Sequence, residues 1–164
     1  MIWFSFILGM ATYGVTQDVS ISLPKNQVSE LPVVFHIGDQ STAYEALLPK
    51  YENLLTICHN DLKAAGHVWG SMLVNIYNLA QDDNINLDGV QLLIHVFWSP
   101  EGKIDRLGYY VKPNSKPIKN KMLDELFTKF ILTHLSPVQA DVPYMNYGVA
   151  GFPPLALKIT ASKQ

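Results

Sequence analysis

Cys58 and His59 are the first neighbours in this chain whose types could do chemistry, because a base beside a thiol can lower its pKa and yield a nucleophile. Adjacent residues on a helix or strand point their side chains apart, so a structural thiol beside a surface imidazole is the expected arrangement. A thiol-dependent hydrolase using Cys58 with a histidine is the alternative. The five histidines, His36, His59, His67, His95 and His134, include no pair at i, i+4 spacing, and no Cys or carboxylate ligands cluster with them, which argues against zinc. Residues 82–88, Asp82-Asp83-Asn84-Ile85-Asn86-Leu87-Asp88, place several oxygen ligands in a row. They lack the central Gly and closing Glu of a calcium loop and read instead as the end of a helix. Tyr144, Tyr147 and Phe152 stand in a stretch, 139–154, that Pro143, Gly148, Gly151, Pro153 and Pro154 make loop-like. Aromatic residues in a loop need a reason: packing down on a sheet comes first, partner binding second. These three are the candidate partner-binding residues. No catalytic, metal or cofactor set emerges.

Composition narrows the class. The chain has 164 residues, 48% of them hydrophobic, and a net charge of −2, which fits one domain with a single core. Arg106 is the only arginine, and no dense basic patch is present, so the phosphate-neutralising surface that nucleic acid requires is missing. Residues 1–14 open with the apolar run Ile2-Trp3-Phe4-Ser5-Phe6-Ile7-Leu8 and continue into small residues at Ala11, Thr12 and Gly14. The run is too short to span a bilayer, which takes roughly 20 apolar residues. It fits a secretory signal that lacks the usual positive start. Export leaves no stable membrane span in the mature chain and gives a periplasmic or secreted address. Cys58 is the only cysteine, so no disulfide can form within the chain.

The elements that must position these residues are organised around Gly89 to Ser115. In Ser99-Pro100-Glu101-Gly102, Pro100 pre-sets φ and Gly102 suits the last position of a type I turn. With those four residues as the loop, Trp98 faces Lys103, Ile94 faces Leu107 and Leu92 faces Tyr109. One face of the hairpin is then apolar, with Val90, Leu92, Ile94, Val96, Leu107, Tyr109 and Val111. The other carries Gln91, His95, Arg106 and Lys112 with Leu93 and Phe97, and sets His95 opposite Arg106.

Upstream, 15–32 reads as a linker into a single domain over 33–164. Val33 to Ile37 is a short edge strand, and Ser41 caps a short helix that Pro49 ends. Asp61 caps a long helix whose apolar stripe runs through Leu62, Ala65, Val68, Trp69, Met72, Leu73, Ile76, Tyr77 and Ala80 to about Gln81. Gly66 and Gly70 inside it suggest close packing against the sheet. A second amphipathic helix spans 119–135, stopped by Pro137, and Leu155 to Ile159 alternates as a closing strand. The order is helix, strand, strand, helix, strand: an α+β fold, with a small antiparallel sheet and amphipathic helices packed on one face.

That order resembles the C-terminal domain of the TonB energy-transducer family. The residues that carry the resemblance are Val90 through Trp98, Glu101-Gly102-Lys103-Ile104, the strand to Val111, Asn114-Ser115, and a helix leading to a final strand. Family members also carry a membrane anchor and a Pro-rich spacer, which this sequence does not display. The resemblance therefore implies a free-standing, exported, non-enzymatic protein-binding module. Its partner would be a protein of the cell envelope, met by strand pairing at a sheet edge or through the 139–154 stretch.

Overall fold

The computed structural model describes residues 31–39, 41–155 and 157. The expected signal segment and most of the expected linker lie outside them. The chain forms an α+β fold in which β3 (Gln91–Trp98) is the central strand. On one side it pairs antiparallel with β4 (Ile104–Val111), and on the other with β5 (Tyr144–Gly151), also antiparallel. Two short strands finish the sheet: β1 (Val34–His36) runs parallel to β4, and β2 (Glu52–Asn53) runs parallel to β5. The order β1-β4-β3-β5-β2 thus makes a mixed sheet with an antiparallel centre.

The turn of the hairpin closes as its residues require. Gly102 donates its N–H to the Ser99 carbonyl and takes a φ of +84°. A Cβ on Gly102 would also come within 2.8 Å of the Ser136 carbonyl oxygen, so glycine is required there twice over. The register beyond the turn is displaced by two residues from the expected one. Ile94 pairs with Tyr109, Leu92 with Val111 and Val96 with Leu107: one residue of the displacement arises because Trp98 pairs with Ile104 and not with the expected Lys103, and the second because an irregularity at Phe97/Trp98 leaves Asp105 between the pairs Trp98–Ile104 and Phe97–Arg106. His95 consequently faces Gly108 and not Arg106. A shift of two preserves the faces, so the expected apolar residues all remain on the core side.

Helix α3 (Leu62–Asp82) begins where Asp61 accepts hydrogen bonds from the backbone N–H groups of Lys63 and Ala64. Its buried residues Val68, Met72, Leu73, Ile76 and Ala80 meet Leu123, Leu126, Phe127 and Phe130 of α4 (Asn120–Thr133) over the same sheet face. Gly66 and Gly70 do not serve that packing, since a Cβ at either position meets nothing within 4 Å. Close approach happens from the sheet side instead. Gly148 of β5 lies under the Trp69 indole, and Gly108 of β4 lies under Phe35.

The opposite face, expected to be the polar one with the helices all on the other side, holds a second small core. Helix α1 (Ser41–Leu47) and the 3-10 turn Leu48–Lys50 cross it, and Leu31, Phe35, Leu47 and Phe97 are buried together there. Leu31 thereby ties the end of the expected linker into the domain, and its carbonyl accepts a hydrogen bond from the Arg106 guanidinium. After β2 the chain turns through the single-turn helix α2 (Leu54–Ile57), which packs beside β5. The closing strand is not 155–159: Leu155 and Leu157 are helical, and the Leu157 N–H bonds to the Pro154 carbonyl. Lys158 and Ile159 lie outside the described residues. The strand comes earlier, at 144–151, inside the stretch expected to be loop.

Candidate functional site

Strand β5 decides what happens to the three aromatic candidates. Tyr144 is fully buried, stacks on Trp98 with ring centroids 5.2 Å apart, and donates its hydroxyl to the Val138 carbonyl at 2.7 Å. Phe152 is buried and stacks against Tyr77. Tyr147 alone reaches the surface, 52% exposed, with its ring edge-on to His95.

The direction of the β5 backbone follows from both of its ends. The Phe152 N–H bonds to the Val90 carbonyl, so even-numbered residues turn toward β3. The Pro143 carbonyl accepts from the Glu52 N–H, so odd-numbered residues turn toward β2. That partner stops at once, because β2 pairs only with Tyr144 and Met145. Tyr147, Val149 and Gly151 therefore direct their N–H and C=O groups outward, and among the described residues no strand pairs with them. Val149 is 54% exposed. Beside this edge runs a groove of about 490 Å³, bounded by Trp69, Gly70 and Leu73 of α3 and by Val149 and Gly151 of β5, with Pro154 at its end. No charged side chain lines it among the described residues.

On the far face of the sheet His95 is only 3% exposed. Its Nδ1 lies 2.9 Å from the Tyr44 hydroxyl, its Nε2 lies 3.1 Å from the Met145 sulfur, and its ring stacks on Phe97. Burial pulls the imidazole down to about 4, so it is neutral at ordinary pH. Tyr51 donates to Asp105 at 3.1 Å; burial, with the Asp105 charge, pushes its phenol up to about 12, while burial raises the Asp105 carboxyl. These groups pin α1 and its following turn to the sheet and are placed for stability.

Cys58 is half-buried at the end of α2, and burial with the Asp61 charge pushes its thiol up, away from thiolate. No histidine hydrogen-bonds to it among the described residues. His59 turns off with a φ of +54°. In the 82–88 segment two of the three acids are engaged by protein groups: Lys129 pairs with Asp83, and the Tyr77 hydroxyl donates to Asp88. Among the described residues no group of three His, Cys, Asp or Glu side chains is placed to hold a metal, and no helix is long and apolar enough to cross a membrane.

The signal that could have found the open edge was the pair Tyr147 and Val149, alternating across Gly148 on one side of β5. The glycines and prolines around them concealed it. Comparison with models of known families, with curated proteins and with solved structures finds no match for this chain.

Proposed function

We propose that this chain is a non-enzymatic, exported protein-binding module that takes an extended segment of an envelope protein as an added strand on the outer edge of β5. The observation that carries the reading is the row of outward backbone groups at Tyr147, Val149 and Gly151, which lacks a strand partner among the described residues. An open edge is a template for another chain, and proteins that bind by strand addition draw affinity from such main-chain bonds. The resemblance to the TonB C-terminal domain favours the same mode of contact. The raised thiol of Cys58 supports it from the other side, since it opposes the hydrolase alternative.

The test is Val149→Pro. This substitution removes an N–H that β3 does not use, so the folded state should persist, while capture of envelope proteins by the immobilised chain should be lost. Equal capture by a variant that unfolds at the wild-type denaturant concentration rejects the edge. Export is checked separately: a mature N-terminus near Val15 in an extracytoplasmic fraction supports it, and an intact Met1 rejects it.

A further inference from the structure

We propose that the groove between α3 and β5 receives one apolar side chain of the segment that pairs with β5, so that Trp69, Gly70 and Leu73 decide which segments bind. This rests on the strand-addition reading and names the class of ligand: an extended peptide with an uncharged, apolar anchor.

The incoming strand continues an interface that already exists. β2 starts a parallel ladder on β5 at Tyr144 and Met145, then leaves it as the chain turns into α2. A segment on the same edge beyond Met145 places alternate side chains on the two faces of the sheet. On the α3 face beyond Met145, β5 carries Asn146 and then only the small residues Gly148 and Ala150, so the stretch beside Trp69 has little bulk of its own to oppose an incoming side chain. That side chain enters the groove, whose volume of about 490 Å³ falls within the range of roughly 300–1,000 Å³ typical of ligand sites. With no charged residue on its walls among the described residues, the groove would leave a buried ammonium or carboxylate unpaired; Gln91 lines it too, but Trp69, Leu73, Phe152, Pro153 and Pro154 make most of the wall apolar and favour an apolar anchor. Gly70 widens it. A glycine within a helix destabilises it relative to alanine, and no side chain packs where its Cβ would be, so its visible effect is to leave this wall open.

The experiment uses a phage-displayed library of random twelve-residue peptides panned on the full chain, then one enriched peptide made synthetically and titrated by fluorescence polarisation. Enriched sequences should share one large apolar residue flanked at alternating positions by β-branched residues. Gly70→Leu fills the groove without removing any existing contact, and should weaken the peptide by about tenfold or more, as should lysine in place of the anchor. Trp69→Ala should relax the preference for the anchor. Should Val149→Pro abolish binding while Gly70→Leu leaves it unchanged, the groove is overturned and the edge stands. If the peptide binds all variants alike, or no apolar anchor is enriched, both are overturned or the groove alone is, respectively.

Discussion

The hydroxyl of Tyr44 stands 2.9 Å from Nδ1 of His95, joining α1 to the central strand across 51 positions of sequence. The contact is closed on the other side by Met145 at 3.1 Å and beneath by Phe97, so the imidazole is held neutral within an aromatic and thioether setting. The neighbours that face it are Tyr44, Tyr147, Phe97 and Met145, none of them charged at neutral pH. Nothing there compensates a proton on the ring.

Acid should therefore loosen α1 first. Burial pulls the pKa of His95 in the folded state from an ordinary 6.5 down to about 4, so its contribution is fully present above 6.5 and is lost as pH falls toward and through 4. The linkage amounts to about 2–3 kcal/mol between pH 7.5 and 4.5. Urea unfolding at those two pH values measures it. His95→Phe should flatten the difference by about that amount, and an undiminished difference in the variant rules out His95 as the source.

Helix α3 should be improved cheaply. Gly66→Ala and Gly70→Ala each add a methyl group that meets nothing within 4 Å, and each should stabilise the fold by about 1 kcal/mol. Denaturation midpoints of the single and double variants give the answer. A loss of stability in either would mean that a close neighbour exists at that position.

The parts legible in the sequence were those set by local pattern. Asp61 capping α3, the stripe from Val68 to Ala80 and the Ser99 to Gly102 turn all depend on residues close in the chain. The hairpin register was legible only modulo two, because a period-two pattern cannot distinguish Ile94 opposite Leu107 from Ile94 opposite Tyr109. What stayed hidden depended on distant partners. Gly148 reads as a strand breaker until Trp69 is placed over it, and His95 reads as a surface residue until α1 folds back. The open edge of β5 was hidden with them.

Cys58 should react slowly. Burial and the nearby Asp61 charge both raise its thiol, so labelling with a disulfide reagent at pH 8 should lag behind a free cysteine and accelerate as pH climbs past the ordinary thiol range. Asp61→Asn keeps a side chain able to cap α3 while removing the charge, and should speed labelling without unfolding the protein. A rate equal to or above that of free cysteine at neutral pH would reopen thiol chemistry at this position.

Gly148→Ala should do what the helix substitutions do not. Its Cβ would stand 3.1 Å from the Trp69 indole, tighter than ordinary contact, and the ring is the far side of a short path between α3 and β5. Trp69 must tilt outward, so the variant should lose about 1–3 kcal/mol as overpacked sites do. The same tilt narrows the groove beside Val149, so peptide binding should fall together with stability. A second variant separates the two effects: Gly148→Ala combined with Trp69→Phe, whose smaller ring relieves the crowding, should recover stability. Recovery of stability without recovery of binding would show that the indole itself, and not the width of the groove, is what the anchor meets.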